Sequence, residues 1–514
     1  MRHARIALVN PPHSLEERYG RFKGVGNTMP SLGLLGLAAI LRETGFTVAV
    51  VDAPARGMGY DATIAETVEF APDAVGMTAF TPSIFNAVKT ADLLKAARPG
   101  LPVVLGGPHL AAAPVETMKR FAGFDVGCVG EADHVIAALF DALTGGGDLK
   151  AVPGLLIRED AEIVSTGRPP LFRNLDHLPF PAWDLLPGFP GGYRPAAHTY
   201  RRLPAATMFT SRGCPEQCTF CDRGVFGNSI RAFSAGYVVD QIEYLIRRFG
   251  IRDLTIYDDI FPLLKPRLFE ICETIQRRGL DLTWSCNSRV NLVDAAVLKA
   301  MRAAGCYQIG YGIESGDQAI LDHISKRVRL DQVEEAVRLT DEAGIRAKGF
   351  FILGHPGETP ASVRRTIDFA KRLRLSDYQT CLFTPFPGTE AHAEAKTYGA
   401  FDDDWRSMNL LTPVFVPFGL TAEQMVSWAA GSYREFYLRP RIIWRYLTGL
   451  RRPAHVMQML RGGLALATSL LAGPGSQPRA GARRALPALH RLFTRFNQTA
   501  MGARTAAAPT PSQG

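Results

Sequence analysis

The sequence predicts an α/β protein of two successive parallel-sheet domains followed by a helical region, and three observations carry that expectation. Short apolar runs alternate with helix-length stretches through most of the chain, the strand-helix-strand rhythm that builds parallel sheets. The chain has 514 residues, too many for one core when domains run to roughly 100–200 residues. A Pro- and Gly-rich passage at 146–203 divides the rhythm in two and holds Pro169-Pro170, Pro179, Pro181, Pro187, Pro190 and Gly191-Gly192. That composition suits an extended linker.

Residues 1–145 read as the first domain. Strands are expected at Arg5–Val9, Thr47–Val51, Ala74–Thr78, Val103–Leu105 and Val126–Val129, with helices at Leu32–Thr44, Ala62–Phe70, Ile84–Ala97 and Pro114–Arg120. The pattern describes an open doubly wound (Rossmann-like) sheet. Ligands of such sheets bind over the carboxyl ends of the strands. Gly106-Gly107-Pro108-His109 and Gly130-Glu131 stand in those loops.

Residues 204–400 read as the second domain. Six strands are expected at Ala205–Thr210, Asp253–Tyr257, Thr283–Asn287, Gln308–Gly312, Ala347–Leu353 and Thr380–Thr384. Helices fit between them at Ala235–Phe249, Pro266–Arg278, Asp294–Ala304, Leu330–Ala343 and Thr359–Arg372. Six strands with intervening helices suggest a partial (β/α)6 barrel, whose chemistry belongs at the carboxyl ends of the strands. On this reading Tyr307, Tyr311 and Cys381 point toward the barrel mouth. Residues 401–470 turn helical and aromatic, with Trp428, Tyr433, Phe436, Tyr437, Trp444 and Tyr446 among basic residues, and suit a helical cap. The end, 471–514, reads as a basic disordered tail.

Composition narrows the class. A 46% hydrophobic, 21% charged chain is ordinary for a soluble globular protein, and no apolar run reaches the roughly 18 residues of a membrane span. The apolar run Ile6-Ala7-Leu8-Val9 is too short for a signal peptide, so a cytoplasmic location is expected. The net charge of +9 is concentrated: Arg451 to Gly514 holds nine Arg and no acid, leaving 49 basic against 49 acidic side chains elsewhere. Such a tail suits anionic lipid, an acidic partner or nucleic acid, or is simply solvated. With no RNA-binding module in it, nucleic acid ranks lowest.

Of eight scattered cysteines, three cluster in Ser211-Arg212-Gly213-Cys214-Pro215-Glu216-Gln217-Cys218-Thr219-Phe220-Cys221. The spacing C-x3-C-x2-C puts three thiolates on one loop after the first barrel strand. An iron–sulfur cubane normally takes four thiolates, so three leave one iron open. Structural zinc would need a fourth ligand, available only if Cys286 or Cys306 folded back.

This loop resembles the signature of the radical S-adenosylmethionine (SAM) superfamily. The resemblance implies a 4Fe–4S cluster on Cys214, Cys218 and Cys221, with SAM chelating the open iron and cleaved reductively to a 5′-deoxyadenosyl radical. It further implies SAM-binding roles for Phe220, Asp258, Asp259, Arg289, Glu314 and Gly354, all at the rim of the barrel. Tyr257-Asp258-Asp259-Ile260-Phe261 would cradle the methionine amino group, Arg289 the carboxylate, Glu314 the ribose or amino group, and Gly354 would admit the adenine. The plainer readings are turn caps for the two Asp, and ion pairs for Glu314 and Arg289. His355 reads equally as a structural loop residue or an acid–base group, and Pro385-Phe386-Pro387-Gly388-Thr389 looks like a further family hallmark.

The domain order resembles the cobalamin-binding-domain-containing radical SAM family, over roughly residues 5–450. The resemblance implies cobalamin contacts from Asn10, Pro11, Gly106, Gly107, His109, Gly130 and Glu131. The motif Asp-x-His-x-x-Gly, which supplies a cobalt ligand in many cobalamin domains, is absent from this sequence; cobalamin is then expected without a protein histidine on cobalt. The leading expectation is a methyltransferase acting on an unactivated carbon of a hydrophobic or amphiphilic small molecule. It would be served by an external flavodoxin- or ferredoxin-type electron donor, with peripheral membrane contact through the basic tail. An oxidative cyclase or rearrangement enzyme of the same family, and an iron–sulfur redox sensor, are the alternatives.

Overall fold

Apolar runs of three to six residues make the first sheet because burial on both faces is what parallel strands between helices require. The computed structural model describes residues 4–448, apart from 21–25, 161, 194, 197 and 198. The tail 471–514 and the end of the cap lie outside the described residues. Both main sheets belong to one compact unit, Met1–Gly462.

The first sheet comprises β1 (Arg5–Asn10), β2 (Thr47–Asp52), β3 (Ala74–Thr78), β4 (Val103–Gly106), β5 (Val126–Cys128), β6 (Leu155–Glu159) and β7 (Glu162–Ser165), in the order β2-β1-β3-β4-β5-β6-β7. The first five are parallel; Ile6 of β1 lies between Val48 of β2 and Ala74 of β3. The order therefore reverses between β1 and β3, the position where doubly wound sheets take ligands. The pair β6–β7 is antiparallel and corrects the linker expectation for 146–203. Leu155-Leu156-Ile157 and Ile163-Val164 are strand sequences, but the surrounding Pro and Gly masked them.

The second sheet comprises β8 (Ala205–Met208), β9 (Asp253–Ile256), β10 (Thr283–Ser288), β11 (Cys306–Glu314), β12 (Arg346–Leu353) and β13 (Asp377–Leu382). Its order is β13-β12-β11-β10-β9-β8, every pair parallel. Chain neighbours are thus spatial neighbours, as in a partial barrel wrapped by the helices Ala235–Phe249, Lys265–Arg277, Ala295–Ala303, Leu330–Glu342 and Pro360–Arg372. These helices are bounded by local chemistry. Ser234 caps the first by accepting from Tyr237 N–H, and Gly250 ends it in the left-handed conformation.

Strand alternation decides which side chains enter the barrel. On β11, Tyr311 donates to or accepts from Thr340 Oγ1 at 2.7 Å, on the outer helix Leu330–Glu342, and Tyr307 bonds Thr199 O at 2.8 Å. Both tyrosines therefore face away from the barrel mouth, correcting the expectation for them. Gln308, Gly310 and Gly312 take the opposite face. After residue 400 the chain is not purely helical: Gly399–Phe401 pairs antiparallel with Phe415–Pro417 before the helices Ala422–Tyr437 and Pro440–Thr448.

Candidate active site

The cysteine loop starts where β8 ends. Asp258, wholly buried, accepts from Thr210 N–H and Thr210 Oγ1 at 2.5 Å each and from Ser211 Oγ at 2.6 Å, fixing the chain just ahead of the loop. Gly213 then turns in the left-handed region at φ +82°, where a Cβ would collide with Ser229 O. A two-residue ribbon, Ser211–Arg212 against Arg231–Ala232, closes the loop at its base. Further along, Thr219 N–H donates to Ile324 O at 3.2 Å and Arg223 Nη1 to Glu216 O at 2.8 Å. Cys214, Cys218 and Cys221 thus come from a loop held at many points.

The three thiols carry no disulfide and act on one another electrostatically. Burial raises the Cys214 thiol and pushes Cys221 up to about 12, with the neighbouring thiols and Asp259 adding to both. A metal or cluster that binds thiolates must therefore supply the positive charge itself. Among the described residues no group of three or more His, Cys, Asp or Glu converges as a single metal ion requires. Cys286 and Cys306 lie buried in the core. Three thiolates on one loop are the donor set that a cluster with one open iron would take.

Arg289 stands beside the loop, its Nη1 3.8 Å from Cys218 Sγ, and also pairs with Glu216 at 3.5 Å and with Lys326 O. Its Nε is buried with no partner among the described residues, a donor suited to a carboxylate. Glu314 ends β11 in the left-handed region at φ +68° and pairs with Lys326 Nζ at 2.7 Å. That buried pair sits beside Phe220, whose ring lies 5.9 Å from Lys326 Nζ and 6.1 Å from the His355 ring. Asp259 faces the cysteines electrostatically, and burial followed by Asp258 raises its carboxyl.

One expected SAM contact is corrected. Asp258 spends its oxygens on Thr210 and Ser211, so it orders the loop and offers nothing to a ligand. Gly354, at φ +89°, donates its N–H to Glu358 Oε2 at 2.5 Å, and its Cβ direction is filled by Met425. The residue is glycine for those reasons. Next to it, His355 is fully buried with neither ring nitrogen partnered among the described residues. Burial, then the charges of His323 and Lys326, lower it to about 3. Burial pushes Glu358 up to about 7, against the Gly354 and His355 N–H bonds.

At the first domain's carboxyl edge, Asn10 Nδ2 donates to Asp52 Oδ1 at 2.9 Å, Pro11 is buried, and Gly106-Gly107 leads β4 into a short helix. Gly130, at φ +81°, packs against Pro169. His109 is corrected: it is fully buried, both ring nitrogens face hydroxyls (Thr81 at 3.2 Å and Thr117 at 3.1 Å), and its ring meets Trp405. Burial lowers it to about 4, with Arg120 adding to the effect, so it is a neutral core residue. Glu131 is corrected too, since both its oxygens bind arginines of the second domain, Arg212 and Arg231. Arg212, Arg231, Asp133 and Lys326 escaped the sequence reading. The one signal for the arginines was their position at either end of the cysteine loop.

Fold and site together define a two-domain α/β protein in which the carboxyl edge of a doubly wound sheet meets the cysteine-bearing rim of a six-stranded open barrel. The chain matches the B12 binding domain model over residues 22–140 and the Radical SAM superfamily model over 208–370. It is 34% identical to an uncharacterized methyltransferase of Pyrococcus horikoshii, covering 86% of this chain and 94% of that one. It is 27% identical to the anaerobic magnesium-protoporphyrin IX monomethyl ester cyclase of Rubrivivax gelatinosus, over 80% of this chain and 75% of the relative. Among solved structures, the radical SAM methyltransferase TsrM from Kitasatospora setae, with cobalamin and a [4Fe-4S] cluster bound, superposes with a TM-score of 0.68 at 18% identity, covering 91% and 99% of the two chains. The cobalamin-dependent radical enzyme OxsB gives 0.70 at 17% identity, over 96% of this chain and 76% of that one. These likenesses show the shared fold. The chain belongs to the cobalamin-binding-domain-containing radical SAM family and is a radical SAM enzyme.

Proposed function

We propose that the protein is a cobalamin-dependent radical SAM methyltransferase that methylates an unactivated carbon of a hydrophobic or amphiphilic small molecule. The observation that carries this reading is the junction itself: the loop bearing Cys214, Cys218 and Cys221 is tied directly to the ligand-binding edge of the B12-type domain. When bound, a 4Fe–4S cluster with SAM supplies a hydrogen-abstracting radical, and a corrin supplies the methyl group. The chain's own residues bind and orient. The three cysteines hold the cluster, and Arg289 offers its unpartnered Nε to the SAM carboxylate. Asp259 and the Glu314–Lys326 pair face the amino and ribose groups, beside Phe220. Asn10, Pro11, Gly106, Gly107 and Gly130 line the corrin side. The methyltransferase name of the Pyrococcus relative supports the transfer step, and the hopanoid C-3 methylase of Methylococcus capsulatus, 27% identical over 71% of this chain, supports a greasy substrate.

Anaerobic reconstitution with iron, sulfide, hydroxocobalamin, SAM and a strong reductant tests this reading. Bound corrin and release of 5′-deoxyadenosine are expected, with S-adenosylhomocysteine appearing once substrate is present. Deoxyadenosine without corrin binding would sink the methylcobalamin route. A loaded cluster that never cleaves SAM would revive the redox-sensor reading. The cyclase relatives, at 27% and 28% identity, favour oxidative cyclisation as the second reading, which predicts product without S-adenosylhomocysteine. An external flavodoxin- or ferredoxin-type donor, a cytoplasmic location and lipid contact through the tail complete the proposal. Among the described residues no helix is long and apolar enough to cross a membrane.

A further inference from the structure

Glu131 follows β5, the last parallel strand of the first sheet, and is only 2% exposed. Its two oxygens cross to the second domain: Oε1 accepts from Arg212, and Oε2 from Arg231 Nη1 at 2.7 Å and from Phe172 N–H at 3.0 Å. Asp133 completes the bridge by accepting from both terminal nitrogens of Arg212, at 2.8 and 3.0 Å. Arg212 and Arg231 are the paired ends of the cysteine loop, so two carboxylates of one domain grip both roots of the segment that carries all three cysteines. Arg231 is further fixed by Phe172 O at 2.8 Å and Phe226 O at 3.2 Å.

The bridge is formally neutral, two carboxylates against two guanidiniums, and largely desolvated. Its members cannot separate gradually, because a buried charge that loses its partner is strongly penalised. A shift of the β5 loop is therefore passed to the cysteine loop as a displacement of its base. Gly130, next to Glu131, lies on the same carboxyl edge of the sheet as the β1–β3 reversal, two strands beyond β3. We propose that Glu131, Asp133, Arg212 and Arg231 are positioning residues that couple the two cofactor sites, so that filling the B12-type domain and loading the cysteine loop favour one another. The coupling is reciprocal by thermodynamic necessity. It rests on the proposed reading that the first domain takes a corrin and the loop takes a cluster.

The experiment is a linkage cycle on the full chain. Hydroxocobalamin is titrated anaerobically into protein with an empty cysteine loop and into protein with a reconstituted cluster, and bound corrin is read from its visible spectrum. The wild type is expected to bind corrin at least about fivefold more tightly when the cluster is present, the lower end of ordinary coupling between sites. A variant with Glu131→Gln, Asp133→Asn, Arg212→Gln and Arg231→Gln leaves no charge unpaired. Its ratio should fall to about one while each cofactor still binds alone. The milder pair Glu131→Gln and Arg231→Gln keeps the Asp133–Arg212 fork, should give an intermediate ratio, and serves if the fourfold variant does not fold or does not load its cluster. A wild-type ratio of one, or a variant ratio equal to wild type, overturns the coupling while leaving the cofactor reading intact. Absence of corrin binding in both states overturns that reading and the coupling with it.

Discussion

One methyl group at Gly213 tests whether the geometry of the cysteine loop is what permits cluster loading. Gly213 sits at φ +82°, and a Cβ there would lie closer than 3.0 Å to Ser229 O and 3.3 Å from Phe226 O, both backbone atoms that cannot swing away. Gly250, the terminal cap of the helix Ala235–Phe249, has φ +66° and nothing within 4 Å of its Cβ position. Each Gly→Ala change incurs the left-handed cost of about 1–2 kcal/mol. Only Gly213→Ala adds overpacking, typically about 1–3 kcal/mol, or roughly 5- to 140-fold in the equilibrium that keeps the loop in place. Thermal unfolding of the apoproteins and iron and sulfide per chain after anaerobic reconstitution read the two effects. Gly250→Ala should load a full cluster with a small drop in melting temperature, whereas Gly213→Ala should lose most of its iron. Equal iron content in the two variants would refute the argument, since they differ in the collision and not in the backbone strain.

Replacing Cys214, Cys218 or Cys221 singly by Ala should leave the chain folded but abolish cluster retention and SAM cleavage, as iron analysis and nucleoside chromatography would show. Retained cleavage by any of them would count against the assignment. Asp258→Ala strands two hydroxyl donors and an N–H at the root of the loop, for which about 2–5 kcal/mol is expected. The loss should show in stability and iron content, and a weakened SAM affinity in a fully loaded variant would instead argue for direct contact. Glu358 gives a pH test. Its folded pKa, about 7, lies above the ordinary value of 4.5, so the native state holds a proton that the unfolded chain releases first. Its contribution, roughly 2–4 kcal/mol, is full below about pH 4.5 and lost as pH rises toward 7. Gln stands in for the protonated carboxyl, so wild type should match Glu358→Gln near pH 4.5 and fall progressively below it in melting temperature as pH rises toward 7; a pH-independent difference would contradict it. His355, lowered to about 3, acts with the opposite sign, losing stability as pH falls below 6.5, which is why the comparison holds it constant.

Local pattern made much of this molecule legible in advance. Strand and helix periodicity located all five parallel strands of the first sheet and all six of the second, with ends displaced by a few residues, because parallel strands buried on both faces are marked by short apolar runs. The spacing of Cys214, Cys218 and Cys221 identified the loop that chemistry requires, since three ligands on one short segment need no distant partner to be recognised. The hairpin of β6 and β7 was hidden because its strand residues are embedded in turn-forming ones.

The order of elements, the cysteine triad and the kind of protein they define were therefore local properties of the chain. Packing settled which polar side chains are spent inside the protein. Asp258 turned inward to the loop it supports, His109 lost its charge to burial, and Glu131 was claimed by arginines 81 and 100 positions away. Tyr307 and Tyr311 fell on the outer face of β11. In each case the residue type was right for the expected role, but its partner came from a distant part of the chain. Desolvation makes a buried polar group take whatever partner the packing brings, and no local pattern encodes that choice.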